Sequence, residues 1–252
     1  MSSPNDWEIL LTQAFKQLDA GNVPGNEWTL GGGTVLMFHF AHRLSKDIDI
    51  FFTNKQRLAA VSPRVNDGVV DFLRDYIEQD GFCKLYFPAG KIDFIYSRKV
   101  SEHTPQPRML AGRMVQCDDP VEIVTKKVFW RNDRVTPRDI FDLAVVYDAC
   151  QQRLVDTLVK YSDKVAAWSE QFQSEAALGL YEKWAATAPI LSSGKPFLDR
   201  AFRLVSALTE TVRLQAGTKE QKHEDPGRNM QTDGQQHTES GRKQSYRKAR
   251  MR

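Results

Sequence analysis

The sequence predicts an α+β fold: a small mixed β-sheet flanked by helices, then a helical C-terminal half and a disordered basic tail. Three observations predict it. The segments "WTLGG", "KDIDIFF", "CKLYF" and "KIDFIYS" alternate or run apolar over strand lengths, and helical spacing lies between them. After about residue 104 the character changes, and residues 151–187 and 196–214 are Ala- and Leu-rich with helical spacing. From about residue 216 apolar residues nearly vanish, so that stretch cannot bury enough surface to offset ordering entropy.

Taken in order, "WEILLTQAFKQL" puts apolar residues at helical spacing, so residues 6–19 read as a helix. "DAGNVPGNE" is a loop by its Gly, Asn and Pro content. "WTLGG" reads as a short strand entering a turn, and "TVLMFHFAHR" as a mostly buried helix with Thr34 near its start. "KDIDIFF" reads as a strand. Residues 63–79, "PRVNDGVVDFLRDYIEQ", read as a helix opened by Pro63. "CKLYF" and "KIDFIYS" read as two strands around the tight turn "PAG". "TPQPRML" is a Pro-rich connection, and Pro120 opens a helix. A second helix starts with Thr136 as N-cap and Pro137 at its first position. Residues 151–187 and 196–214 carry further helices. The domain division expected from this pass is 1–104, 105–215 and 216–252.

Composition narrows the class. The chain has 252 residues, 41% apolar and 27% charged, which suits an ordinary globular protein with a sizeable core. No run approaches a membrane span, and the start lacks a secretory signal. Cys83, Cys117 and Cys150 are far apart and odd in number, which leaves no disulfide framework or zinc spacing and points to a reducing, cytoplasmic setting. Nine of the 35 Lys/Arg but five of the 32 Asp/Glu lie in residues 217–252, so the net charge of +3 sits in the tail and the body is near neutral.

The segment "LGGGTVLMFHFAHRLSKDIDIF" carries two costly features. Three glycines cost backbone entropy, and two aspartates interrupt a hydrophobic run. On a strand Asp47 and Asp49 project to the same side. Two carboxylates so close raise one another's pKa unless a cation intervenes, and Mg2+ suits them. Asp93 in "KIDFIY" lies between core-facing Ile92 and Phe94, so it points the other way, beside Lys91 and Ile95. If its strand neighbours the first, three carboxylates gather as two-metal phosphoryl or nucleotidyl transfer requires. Gly31, Gly32 and Gly33 would let the backbone approach a triphosphate, with the amides of the following helix aimed at it. Alone, a D-x-D is more often a solvated edge and a GGG a flexible turn; together the features point to a metal-dependent transferase.

These residues resemble the DNA-polymerase-β-type nucleotidyltransferase superfamily: a Gly-Gly turn, a D-x-D strand and a third acidic strand residue. Within it, "GGGTVLMFHFAHRLSKDIDIFF" and "EIVTKKVFWRNDRVTPRDIFDLA" are similar to the AbiEii toxin family over about residues 28–148. The resemblance implies the nucleotidyltransferase fold. It also implies Mg2+-dependent (or Mn2+-dependent) transfer of a nucleoside monophosphate from an NTP, with loss of pyrophosphate. The acceptor it implies is RNA, in particular a tRNA 3′ end. Several family members act as toxins of toxin–antitoxin or phage-defence pairs, so a cognate antitoxin is a partner the resemblance allows; a membrane is not. By residue, Asp47, Asp49 and Asp93 would hold metal, with Asp93 helping to deprotonate the acceptor. Gly32, Gly33, Thr34 and Ser45 would contact nucleotide. Lys127 would reach the triphosphate, with Lys126 as the alternative register, and Asp139 and Asp142 would orient that lysine or border the site. Arg43 would offer its fork to a phosphate or to Asp47, or else serve in an ordinary salt bridge. The linker from the lysine to R-D-x-F-D is shorter than the family's.

His39 and His42 read as structural hydrogen-bonding groups, and Trp28, Trp130, Trp168 and Trp184 as core anchors. The basic tail around Tyr246 could neutralise RNA phosphates or merely aid solubility. Two rival functions remain: nucleotidylation of a small molecule or a protein, and a non-catalytic nucleotide- or RNA-binding module.

Overall fold

The computed structural model describes residues 6–131 and 134–224. Its centre is a seven-stranded mixed sheet. The strands are β1 (Trp28–Gly31), β2 (Ile48–Phe52), β3 (Asp75–Gln79), β4 (Phe82–Phe87), β5 (Gly90–Tyr96), β6 (Gln106–Leu110) and β7 (Arg113–Cys117), in the order β3-β4-β5-β2-β1-β7-β6. Two pairings are parallel, β2 with β5 and β1 with β7; the rest are antiparallel.

The eight helices of the described residues are α1 (Asp6–Ala20), α2 (Gly32–Phe40), α3 (Gln56–Ala60), α4 (Pro120–Trp130), α5 (Pro137–Leu158), α6 (Ser162–Phe172), α7 (Glu175–Ala185) and α8 (Ala201–Glu224). Helix α1 packs Leu10, Leu11, Ala14 and Leu18 against β2 and β5. The strands answer with Ile48, Ile50, Phe52, Ile92 and Phe94, all shut off from solvent, and the Phe52 and Phe94 rings stack at 6.0 Å. Alternation then sends the remaining residues of β2 and β5, the aspartates among them, to the opposite face. Helices α2, α4 and α5 pack together, and α5 carries α8. The start of α5 is the cap the sequence shows. The Thr136 hydroxyl accepts from the Asp139 amide, the Asp139 carboxylate accepts from the Thr136 amide, and Pro137 opens the helix.

Three segments differ from the sequence reading. Residues 63–79 do not form a helix: a 3-10 turn at Val70–Phe72 leads into edge strand β3, which pairs with β4. The sheet does not stop near residue 104. The Pro-rich connection is the hairpin β6–β7, turned through Ala111 (φ 45°) and Gly112 (φ 77°), with Pro107 on the outer strand where its missing N–H costs no ladder bond. Of the tail expected to be disordered from 216, the described part, through Glu224, continues α8; the basic cluster lies outside the described residues.

Candidate active site

The parallel register of β2 and β5 sets Asp49 directly beside Asp93, and the antiparallel register of β1 and β2 sets Gly31 on the other side of Asp49. Glycine turn and two carboxylates thus share one cross-strand row. Asp47 lies one step before β2 and accepts a bond from the Lys91 amide at 3.3 Å, which ties it to the start of β5. Of the three carboxylates that the sequence predicts to converge, Asp49 and Asp93 come from two adjoining strands and Asp47 from the residue just before the first of them.

Their charges are poorly offset. Burial, then the neighbouring Asp93, push the Asp49 carboxyl up to about 6. Asp93 is 5% exposed, and its Oδ1 is buried with no hydrogen-bond partner. One cation is already at hand: Lys91 Nζ lies 2.5 Å from Asp93 Oδ2 and 4.0 Å from Asp47 Oδ2. Burial works against that ammonium, but Asp93, Asp49 and Asp47 hold its pKa above the usual lysine value. Among the described residues no three acidic, His or Cys side chains close on a common point as a finished metal cage does. With the Lys91 ammonium against Asp93, the site is acidic and cation-seeking rather than closed.

Beside the carboxylates, α2 begins at Gly32 with no side chain capping its first amides. Gly32 has φ +68°, and a Cβ there would stand 1.8 Å from Asp49 Oδ2; a Cβ on Gly33 would stand 2.5 Å from Arg43 Nη2. Gly32→Ala therefore meets both a left-handed backbone and the Asp49 carboxylate. We expect the variant to fold with about 1–3 kcal/mol less stability and to lose binding of any ligand that uses the carboxylates, read by thermal melting and by metal-dependent nucleotide titration.

Thr34 and Ser45 are turned to a structural task. The Thr34 hydroxyl donates to the Asp47 carbonyl at 2.6 Å, so its 3.1 Å contact with Ser45 must use the serine's proton. Ser45 also lines the cavity; Thr34 is buried beneath it.

Asp142 organises the far wall. Its carboxylate receives Arg43 through two nitrogens, each at 2.7 Å, Lys127 at 2.7 Å and His42 Nε2 at 2.8 Å. Arg43 thus makes its ion pair with Asp142, not Asp47, and His42 is a structural partner as the sequence suggests. Burial alone would raise the Asp142 pKa; Arg43, Lys127 and the His42 bond hold it well below the carboxylate range. Lys127 also binds Asp139 at 2.8 Å, and Arg131, one turn on, binds Asp139 at 3.0 Å. Against the pull of burial, Lys127 and Arg131 bring Asp139 down to about 2. Lys126 turns the other way, to Asp118 at 2.7 Å and Glu122 at 3.3 Å, with its ammonium 4.1 Å from the Phe51 ring centre. The segment after α7 braces this wall: the Leu44 amide donates to Pro189 and the Leu191 amide to His42.

All of this surrounds a cavity of about 320 Å³, within the range of small-molecule sites. Gly32, Gly33, Asp47, Asp49, Lys127 and Asp139 reach its wall, while Asp93, Thr34 and Asp142 stand behind it. Six cations line it: Arg43, Lys91, Lys126, Lys127, Arg131 and Arg138. The sequence reading missed Arg131 and the ion pairs of Lys91. Helical spacing from Lys127 and the i+2 spacing from Lys91 to Asp93 were the available signals. His39 lies on the exposed side of α2.

No curated protein matches the chain. Solved structures similar to it include a protein from H. pylori assigned as a nucleotidyltransferase, 16% identical over 85% of this chain and 98% of that one, TM-score 0.41. A nucleotidyltransferase-like antigenic protein from Paracoccidioides brasiliensis is 12% identical over 73% and 94%, TM-score 0.42. The antibiotic-resistance factor ANT(2'')-Ia is 15% identical over 88% and 99%, TM-score 0.38. The family model for the nucleotidyl transferase AbiEii toxin of type IV toxin–antitoxin systems matches residues 20–232. The chain belongs to the AbiEii nucleotidyltransferase toxin family.

Proposed function

We propose that the cavity performs Mg2+-dependent transfer of a nucleoside monophosphate from an NTP to RNA, a tRNA 3′ end being the preferred acceptor. The observation that carries the reading is the row Gly31–Asp49–Asp93, with Asp47 alongside, next to the uncapped start of α2.

The residues fit a divalent cation. Asp93 has an unpartnered buried oxygen and Asp49 resists ionisation, both of which a cation would relieve. Asp47, Asp49 and Asp93 would hold it, and when bound it neutralises the phosphates and stabilises charge on the reacting oxygens. The chain's own groups do the rest. The α2 amides at Gly32 and Gly33 receive phosphate oxygens. Lys127 and Arg131, fixed by Asp139 and Asp142, present positive charge without moving at the moment of reaction. The acceptor hydroxyl oxygen forms a bond to the α-phosphorus, the bond from that phosphorus to pyrophosphate breaks, and the hydroxyl proton passes to the Asp93 carboxylate. Six cations around the cavity support a polyanionic acceptor over a neutral one. A need for NTP favours a cytoplasmic setting. No helix among the described residues is long and apolar enough to cross a membrane. A toxin role held in check by an antitoxin is in keeping with the family's description, and a part in phage defence is proposed on the sequence resemblance alone.

The test combines purified protein, Mg2+, each labelled NTP in turn and total tRNA. Label from one NTP enters RNA, and Asp47→Asn stops it. Label in protein or in a small acceptor instead would replace the RNA assignment, and an absence of metal-dependent NTP binding would remove the reading altogether.

A further inference from the structure

The chain has five tryptophans, and the structure sorts them. Trp28 and Trp168 are buried in the core, and Trp7 and Trp184 pack half-buried against it. Trp130 is 53% exposed, and it lines the catalytic cavity. The sequence reading of Trp130 as a core anchor therefore does not hold.

Its surroundings make the ring a fixed surface. Trp130 closes α4, three residues after Lys127. Its indole N–H donates to Ser97 Oγ at 3.2 Å. Phe129 meets it edge-on, centroids 4.8 Å apart, and Phe129 is itself held edge-on by Tyr161 at 5.2 Å. The polar atom is satisfied and one contact fixes the ring, yet more than half the residue is left open to the cavity and solvent.

The sheet face leading to it changes character along the strands. Asp49 pairs with Asp93, and two residues on, Phe51 pairs with Ile95. Two further residues along the same face of the β5 path is Ser97, the anchor of Trp130. Phe51, Ile95, Ser97 and Trp130 all line the cavity. At about 3.3 Å per residue, this face runs roughly 13 Å from Asp93 to Ser97. It runs from carboxylates, through an apolar pair, to an aromatic ring. A nucleotide has the same polarity: phosphates at one end, a flat base with apolar faces at the other. The Lys126 ammonium over Phe51 is already paired with Asp118 and Glu122 and Ile95 offers no polar atom, so phosphate oxygens are poorly served there, whereas a base finds a partner over an indole.

We propose that Trp130, set by Ser97, is a stacking platform for a nucleobase in the catalytic cavity, with Phe51 and Ile95 as the apolar floor between it and the carboxylates. The inference rests on the nucleotidyltransferase reading and adds to it the place where a base sits. The base could belong to the NTP or to the RNA end; the ring recognises the same chemistry in both.

The test measures binding by calorimetry on the full chain with Mg2+, using three probes: a nonhydrolysable ATP analogue, tripolyphosphate and a single-stranded RNA trinucleotide. Trp130→Leu weakens at least one base-bearing probe by about fivefold or more, leaves tripolyphosphate unchanged, and Trp130→Phe restores most of the loss. A loss confined to the analogue assigns the platform to the NTP base; a loss confined to the trinucleotide assigns it to the acceptor. Unchanged tripolyphosphate binding also certifies that the variant pocket is folded. The proposal is overturned if Trp130→Leu leaves both base-bearing probes unchanged, or if it weakens tripolyphosphate equally. The underlying reading fails differently: the unmutated chain then binds neither the analogue nor tripolyphosphate.

Discussion

Asp49→Asn abolishes nucleotidyl transfer and, in EDTA at pH 8, melts at a higher temperature than the original chain. The first effect removes a carboxylate from the centre of the acidic row, a loss of at least about a thousandfold in rate. The second follows from the upward shift of Asp49 to about 6 from an ordinary 3.8. Between these values the folded chain binds more protons than the unfolded one, so stability falls as pH rises from 3.8 to 6 and stays at the lower level above. Asparagine cannot ionise and escapes that cost. Two pKa units correspond to about 3 kcal/mol, which partial exposure reduces to about 1–2 kcal/mol. Thermal melts at pH 4 and pH 8 check this: the stabilisation appears at pH 8 and shrinks towards nothing at pH 4. Equal destabilisation at both pH values would show that Asp49 is a structural hydrogen-bonding group and not a carboxylate held at a cost.

Asp142→Ala produces the opposite outcome, a loss of about 3–5 kcal/mol, comparable with the whole stability of an ordinary domain. The reason is what it leaves behind. Arg43 is 4% exposed and its two bonds to Asp142 have no substitute acceptor beyond a long contact to the Leu44 carbonyl at 3.4 Å. His42, 1% exposed, loses its partner as well. Asp142→Asn keeps an acceptor oxygen and loses less. Urea denaturation of both variants measures the difference. The Asp142 pKa is depressed in the folded chain, so its contribution is present above the unfolded value of 3.8 and is lost as pH falls towards the folded value. The alanine variant therefore sheds part of the original chain's acid dependence below pH 4. A cost under about 1 kcal/mol would mean that the Arg43 head reaches water.

The two results separate what the sequence makes legible from what it hides. Asp49 and Asp93 were legible because strand alternation is a local rule: two apolar neighbours in the core send the residue between them to the other face. The Thr136–Pro137 start was legible for the same reason, since capping needs only neighbours. Residues 63–79 misled because Val69, Val70, Phe72, Leu73 and Tyr76 fall at helical spacing, while pairing with β4 decides the outcome. The Asp80–Gly81 pair before β4 was the hairpin signal to weigh against that spacing. The β6–β7 hairpin gave less warning: its turn puts alanine at φ 45°, a conformation alanine seldom adopts, and Pro107 argued against a strand. The carboxylate that Arg43 binds lies 99 residues further on, a distance that no local pattern spans.

That last separation has a consequence for how the enzyme comes into being. As the chain leaves the ribosome, β1, α2 and β2 emerge early, but Asp93 must arrive before the acidic row exists. Asp142 must follow before Arg43 and Lys127 have anything to hold them. Nucleotidyl transfer is thus withheld from the nascent polypeptide until α5 has docked, and a product cut short ahead of α5 is catalytically silent.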